Sequence, residues 1–149
     1  MLITRKAEFS ASHVCSQPSL SEEENRKLYG EAANPRGHGH NYVLEVSVSG
    51  PVDPATGMIA NLADLDIFVE GAVLQVFDHK SLNEDVPAFH EKVPTTENLC
   101  IDIYERLKSF SHAKLERVRI EETRNNSFEY AGEEFARVPA ASAAKKEQL

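Results

Sequence analysis

The sequence has few cysteines, no excess of basic residues and no long apolar run, and each absence excludes a class of protein. Its two cysteines among 149 residues, Cys15 and Cys100, are too few for a disulfide framework. Acidic side chains outnumber basic ones by 24 to 16, which argues against a non-specific nucleic-acid-binding protein. Without a membrane-spanning run or a signal-peptide pattern, we expect no membrane association, a cytoplasmic location and reduced thiols.

The chain has the size of one domain, and its apolar residues follow strand and helix periods. Alternating apolar residues predict strands over 2–11, 41–50, 115–123 and 127–131. Apolar residues three and four apart predict helices over 64–77 and 96–110, with a shorter helix over 19–28 capped by Ser21 and a loop over 82–93. The main order, β-β-α-α-β-β, predicts an α+β fold with two helices on one face of an antiparallel sheet. We assign the domain to residues 1–135 and expect a flexible tail over 136–149.

Three histidines are spaced so that they could bind one metal ion. His38 and His40 lie two residues apart before the second predicted strand, and residues i and i+2 of a strand face the same side. His13 lies at or just beyond the end of the first strand. Three neutral imidazoles with one open position are the usual ligands of a catalytic zinc ion. The pattern therefore predicts a zinc site, with ordinary surface histidines as the alternative.

Two further places combine ionisable side chains in a way that suits catalysis or binding. Asp78 and His79 adjoin at the predicted end of a helix, where an acid can orient a histidine for proton transfer or the pair can simply complement the helix dipole. Glu122 falls on the strand face that carries Val118 and Ile120. A buried carboxylate needs donors, such as the edge of an amino-pyrimidine, unless the strand end lets it reach solvent.

Thr95, Thr96, Glu97 and Asn98 precede and begin the second long helix. Such residues make a good helix start by themselves because a threonine hydroxyl can cap the free N–H groups. They can also offer polar groups to a ligand at the helix N-terminus. Both interpretations remain open from the residues alone.

Taken together, these motifs resemble the 6-pyruvoyl-tetrahydropterin synthase family. The matching segments are, in chain order, Phe9-Ser-Ala-Ser-His13, Gly37-His-Gly-His-Asn-Tyr42, Thr56-Gly-Met-Ile-Ala-Asn-Leu-Ala-Asp-Leu65, Asp78-His-Lys80, Leu82-Asn83, Thr95-Thr-Glu-Asn98 and Glu122-Thr123. The resemblance runs from about residue 9 to residue 133. The context of Leu28, Tyr29 and Gly30 is closer to the 6-pyruvoyl type than to the shorter 6-carboxy-tetrahydropterin synthases.

The resemblance implies a T-fold subunit whose trimers form a barrel of strands and stack in pairs into a homohexamer, with sites between subunits. It implies conversion of 7,8-dihydroneopterin triphosphate to 6-pyruvoyl-tetrahydropterin with loss of triphosphate, a carbon–oxygen lyase reaction without an external redox cofactor. The implied roles are Zn²⁺ binding by His13, His38 and His40, proton relay by Asp78 and His79, pterin anchoring by Glu122, and pocket lining by Thr95, Thr96 and Glu97.

One position departs from the family pattern. The family places a catalytic cysteine two residues after Gly30, where this chain has Ala32. Three explanations are open. The alanine is an introduced replacement that inactivates the enzyme, or Glu31 acts as the base in place of the cysteine, or Cys15 supplies a thiol from the other side of the loop. The alternatives for function are accordingly a 6-carboxy-tetrahydropterin synthase, a variant that forms 6-hydroxymethyl-dihydropterin, and a non-catalytic module that binds zinc and pterin.

Overall fold

A computed structural model describes residues 1–132, which form a five-stranded sheet with helices packed on one face. The strands lie in the order β3-β1-β2-β4-β5, and all neighbours are antiparallel except β3, which runs parallel to β1. Their bounds are β1 Leu2–His13, β2 His38–Ser49, β3 Lys80–Ser81, β4 Lys114–Thr123 and β5 Asn126–Tyr130. The expected tail over 136–149, and the end of the assigned domain at 135, lie outside the described residues.

Five α-helical segments connect these strands. They are α1 Glu22–Tyr29, α2 Leu62–Val69, α3 Gln75–Phe77, α4 Leu82–Asp85 and α5 Thr96–Leu107. A π-helical segment, Glu70–Leu74, joins α2 to α3, and 3₁₀ turns cover Gly30–Ala33 and Pro87–Phe89. In the part of the chain from 1 to 132, no helix combines the length and the apolarity needed to cross a bilayer.

The core lies between the helices and one face of the sheet, and the α+β prediction is confirmed. On β2, Tyr42, Leu44 and Val46 are buried and alternate with less buried residues, as the two-residue period requires. They meet the apolar stripe of α5, which includes Leu99 and Ile103. Full burial of one such side chain stabilises the fold by about 1.5–3 kcal/mol. Because this packing fixes which face of each strand is inward, it also fixes the direction of the polar residues at the strand ends.

The structure differs from the predicted helices and loop in three places. The helix predicted over 64–77 is present as a continuous helical segment over 62–77, but Glu70–Leu74 within it is π-helical. The wider π turn places residues that are four apart on the same face of the helix. The buried side chains of this helix are spaced by four residues, namely Leu65, Val69, Val73 and Phe77. The loop predicted over 82–93 contains α4 and a 3₁₀ turn, which are too short to give a periodic signal. The helix predicted over 96–110 ends at Leu107.

Candidate metal and ligand site

The three predicted metal ligands come together where β1 ends and β2 begins. The antiparallel register pairs His13 with His38 and Ala11 with His40, so both strands extend far enough to carry the histidines. One nitrogen from each ring lies within 4.8 Å of the other two, and the Nε2 atoms of His13 and His38 are 3.0 Å apart. This spacing lets a single metal ion contact all three rings.

The histidine rings are held in the protonation state that binds a metal. Nδ1 of His13 lies 2.7 Å from the carbonyl oxygen of Pro94, which can only accept, so this nitrogen donates and Nε2 presents its lone pair. Burial lowers the pKa of His13, His38 and His40, which keeps all three imidazoles neutral at neutral pH. Nδ1 of His38 and Nε2 of His40 are buried and have no hydrogen-bond partner within residues 1–132. A cation bound by His40 Nε2 would remove one of these unsatisfied atoms.

Glu122, on β4, places a carboxylate beside the histidines. Its Oε1 lies 3.5 Å from His40 Nε2 and 3.9 Å from His13 Nε2, and its side chain is 15% exposed. Thr96 donates to Oε1 at 2.5 Å, and Asn126 donates to Oε2 at 2.7 Å. Burial by itself raises the pKa of Glu122, but these hydrogen bonds, together with the neighbouring His40 and His13, outweigh it and the pKa is lowered. The carboxylate is therefore ionised at neutral pH and held in one orientation.

The start of α5 forms another wall of the same cavity, which has a volume of about 340 Å³. Thr95 caps the helix by accepting the Asn98 N–H at 3.3 Å, which fixes the following residues. Thr96 is buried, whereas Glu97 is exposed at the cavity. The lining combines these polar groups with the three histidines, Glu122 and an apolar side made of Leu28, Tyr29 and Phe128.

The Asp78–His79 pair lies outside this cavity within one protomer. His79 has a φ of 59°, and this left-handed turn ends the helix and brings Nε2 of His79 to 3.7 Å from Oδ2 of Asp78. Asp78 accepts the Ser10 N–H at 2.9 Å, and the His79 N–H donates to the Ser10 carbonyl at 2.6 Å. The His79 side chain is 83% exposed. The pair is thus anchored to β1 and presents its imidazole to solvent.

The loop that follows α1 brings Ala32 to the cavity wall. Ala32 lies in the 3₁₀ turn Gly30–Ala33 and lines the cavity, whereas the neighbouring Glu31 is exposed and does not line it. Cys15 does line the cavity, and its N–H donates to the Ala32 carbonyl at 2.8 Å. Burial raises the pKa of the Cys15 thiol to about 11. Cys15 therefore lies on the cavity wall as a protonated thiol.

Several contributors to the site were not identified from the sequence. Asn126 carries no motif that would mark it as part of a site, although its amide donates to Glu122. The carbonyl of Pro94 orients His13 across 81 positions of sequence, and a backbone oxygen leaves no residue signal. Leu28 is exposed on the last turn of α1. An exposed apolar side chain on an otherwise polar helix indicates a binding surface, so Leu28 is the one signal in the sequence for this side of the cavity.

Comparison with known proteins gives a consistent result over most of the chain. A family model described as 6-pyruvoyl tetrahydropterin synthase matches residues 2–133. The 6-pyruvoyl tetrahydrobiopterin synthase of Homo sapiens is 48% identical over 132 residues, which cover 88% of this chain and 91% of the human protein. The Dictyostelium discoideum protein of the same name is 44% identical, over 89% of this chain and 97% of its own length. The solved Caenorhabditis elegans 6-pyruvoyl tetrahydropterin synthase superposes with a TM-score of 0.84 at 40% identity, covering 89% of this chain and 96% of that one.

Proposed function

The chain belongs to the 6-pyruvoyl tetrahydropterin synthase family, and on this premise we propose that it converts 7,8-dihydroneopterin triphosphate to 6-pyruvoyl-tetrahydropterin with loss of triphosphate. The observation that supports this most directly is one cavity that holds three converging neutral histidines and an ionised carboxylate. The histidines suit a metal ion, and the carboxylate suits the paired N–H donors of a pterin ring. Such a site would hold the ring and the reacting side chain of one substrate molecule.

The metal in this proposal is zinc, held by His13, His38 and His40. Three nitrogen ligands and an open side facing the cavity fit the ligand set of a catalytic zinc ion. When bound, zinc would supply positive charge that stabilises an oxyanion developing on the substrate side chain. The Pro94 carbonyl keeps the His13 ring from rotating, so its Nε2 stays directed at the metal position.

Glu122 is the proposed anchor for the pterin. Its two oxygens can accept the ring N–H and the 2-amino group as a pair, which fixes the ring in one orientation. The existing hydrogen bonds from Thr96 and Asn126 hold the carboxylate still without using all of its acceptor positions. Thr95 and Glu97, at the start of α5, would line the ring's binding pocket.

Proton transfer in this proposal is shared by Glu31 and the Asp78–His79 pair. An alanine at position 32 cannot take a proton, whereas the exposed carboxylate of Glu31 can change rotamer toward a substrate. Glu31 is therefore the proposed base for removal of a proton from carbon. His79 would pass a proton to or from the substrate side chain, and Asp78 would stabilise the protonated imidazole.

The complete site, in this proposal, lies between subunits of a homohexamer built as a dimer of trimers. The Asp78–His79 pair is exposed and does not line the histidine cavity of its own protomer, so a second copy would have to bring it there. Among the described residues β5 has only one strand neighbour, and β3 at the opposite end is two residues long. Strand edges of this kind can pair with another copy and close a barrel.

A second candidate is a module that binds zinc and pterin without catalysis. Ala32 on the cavity wall favours it, because no ionisable side chain occupies that position. Two further alternatives keep the chemistry but change the product, namely a 6-carboxy-tetrahydropterin synthase and an enzyme that forms 6-hydroxymethyl-dihydropterin with Glu31 as base. Incubation of the zinc-loaded protein with 7,8-dihydroneopterin triphosphate, followed by mass spectrometry of the pterin products, separates all four. Bound but unchanged substrate would support the binding module.

A further inference from the structure

A tyrosine hydroxyl is buried without a partner beneath the histidine cavity. Tyr42 is fully buried, and its hydroxyl forms no hydrogen bond to any residue from 1 to 132. Two other buried side-chain atoms in this part of the chain are also unpaired, namely Nδ1 of His38 and Nε2 of His40. An unpaired buried hydroxyl destabilises the fold, because it has given up its hydrogen bonds to water. Such a group points to a role in a state other than the free protein.

Strand register places Tyr42 beside the proposed pterin anchor. On one side, the register of β1 and β2 pairs Phe9 with Tyr42, and the two rings stack with centroids 5.0 Å apart. On the other side, β2 pairs with β4 through Val43 and Glu121, so the adjoining positions Tyr42 and Glu122 are neighbours on the core-facing side of the sheet. The stacked ring therefore directs its hydroxyl away from the sheet and toward α5.

The Tyr42 hydroxyl is a donor, and its neighbour Thr96 is an acceptor. Burial, followed by the negative charge of Glu122, raises the pKa of Tyr42, so the hydroxyl keeps its proton at neutral pH. Thr96 lies close enough to oppose this rise, although its contact with Tyr42 falls short of hydrogen-bond geometry. The Thr96 hydroxyl donates its single proton to Glu122 Oε1 at 2.5 Å, so only its lone pairs are open to another group.

From this arrangement we propose that Tyr42 is a positioning residue for the pterin anchor. When a ring with N–H donors binds to Glu122, a small movement of Thr96 lets the Tyr42 hydroxyl donate to Thr96 Oγ1, while Thr96 continues to donate to Glu122. The carboxylate is then held from below by two consecutive hydrogen bonds, and each bond polarises and strengthens the next. The identity of the ring as a pterin rests on the function proposed above.

One substitution should therefore have two opposite effects. Tyr42→Phe keeps the ring but removes the unpaired hydroxyl, so the free protein should unfold at the same temperature as the unaltered chain or at a higher one. The same variant should bind 7,8-dihydroneopterin about 3- to 10-fold more weakly, the loss expected for one hydrogen bond. During turnover KM should rise by a similar factor while kcat is unchanged, since the ring is held equally in the ground and transition states. A purely structural role would instead lower stability and binding together, and that result would overturn the inference.

A double-mutant cycle tests whether Tyr42 acts through Thr96. Thr96→Val removes the middle hydroxyl, so adding Tyr42→Phe to it should cause no further loss of 7,8-dihydroneopterin binding. Thr96→Ser keeps that hydroxyl, and in this background Tyr42→Phe should again weaken binding about 3- to 10-fold. Tyr130→Phe is the matched control and should leave the Kd unchanged, because the Tyr130 ring packs on Tyr104. Equal losses in the valine and serine backgrounds, or no loss in either, would overturn the inference.

Failure of this inference is distinguishable from failure of the proposed function, because the titrations use the unphosphorylated pterin and require no reaction. A chain that binds this pterin and shows the coupling, but releases no triphosphate from the phosphorylated substrate, would contradict the function and support the inference. Triphosphate release with an unchanged Kd and KM in Tyr42→Phe would support the function and overturn the inference. Absence of pterin binding to the unaltered chain would overturn both.

Discussion

The carbonyl oxygen of Pro94 lies 2.7 Å from Nδ1 of His13, and this contact turns the opposite ring nitrogen toward His38. The carbonyl belongs to the segment just before α5, while His13 ends β1, so the contact joins the sheet to the helix that bears Thr95 and Thr96. Packing of α5 on the sheet therefore positions a proposed metal ligand and one wall of the cavity together. A change that moves α5 would disturb both functions at once.

Removal of a metal ligand should abolish stoichiometric zinc. His38→Ala removes one of three converging nitrogens, and the two remaining imidazoles, His13 on β1 and His40 on β2, do not complete a zinc site. The variant, loaded with zinc and dialysed, should retain far less than one ion per chain by elemental analysis. His112→Ala, which changes an exposed imidazole outside the cluster, should retain the full amount. Full retention in the His38 variant would exclude the three-histidine site.

Neutralising Glu122 should weaken pterin binding. Glu122→Gln keeps the shape of the side chain but replaces one acceptor oxygen by a donor, so one N–H of the ring loses its partner. A lost hydrogen bond to a charged group is worth about 1.5–3 kcal/mol, so the Kd should rise by about 10- to 150-fold. Fluorescence titration with 7,8-dihydroneopterin measures this. Glu121→Gln is the control, because Glu121 is the neighbouring carboxylate and does not line the cavity.

The proposed base can be assigned with three variants. Glu31→Gln should reduce kcat by at least a hundredfold if Glu31 removes the proton, since general bases contribute about 10²–10⁴-fold. Cys15→Ala should change kcat little, because burial raises the pKa of this thiol to about 11. Ala32→Cys should raise activity by placing a thiol on the cavity wall. Activity that survives in Glu31→Gln but is lost in Cys15→Ala would reverse the assignment.

Asn25 should control the stability of the cavity wall formed by α1. Its amide donates to the carbonyls of Gln17, Leu20 and Ser21, and its Oδ1 accepts the Gln17 N–H at 2.7 Å. Asn25→Ala leaves these backbone groups unpaired, at a cost of about 1–3 kcal/mol in the free energy of unfolding. Urea denaturation measures the loss, and hydrogen exchange should increase first in residues 15–33. Arg26→Ala, on the exposed side of α1, should be close to neutral.

The metal-free protein should lose stability as the pH falls below about 6.5. Burial lowers the pKa of His13, His38 and His40, so the folded chain binds fewer protons than the unfolded chain between the lowered values and the ordinary value of about 6.5. The contribution of neutral histidines is therefore complete above pH 6.5 and decreases as the pH falls toward the folded-state values. Denaturation of the chelator-treated protein from pH 8 to pH 5 should show this decrease. A flat profile, or greater stability at pH 5.5 than at pH 7.5, would contradict it.

The residues of the site could be predicted where local geometry determines their direction. His38 and His40 share a face with Tyr42 because of strand parity, and β2 does extend back to His38. Glu122 shares a face with Val118 and Ile120 for the same reason, and the structure places its carboxylate beside the histidines. In each case one side of the strand is buried, so a shift of one residue would expose the core.

What could not be predicted depends on contacts between distant segments. The position of the Asp78–His79 pair outside the histidine cavity follows from the hydrogen bonds to Ser10, which lies 68 residues before Asp78. The π-helical turn at Glu70–Leu74 keeps residues that are four apart facing the core, whereas a regular α-helix would rotate some of them out of the core. The role of Asn126 depends on its distance from Glu122 across a turn. None of these relations has a period or a motif in the sequence.

The central claim is that this chain, with Ala32 in place of the cysteine that the family resemblance implies, carries out the lyase reaction. The most direct measurement is the stoichiometry of the reaction of the unaltered, zinc-loaded protein with 7,8-dihydroneopterin triphosphate under multiple-turnover conditions. We predict one triphosphate released for each 6-pyruvoyl-tetrahydropterin formed, and no release by the His38→Ala variant. Tight binding of the substrate with no triphosphate released, and no 6-pyruvoyl product, would contradict the claim.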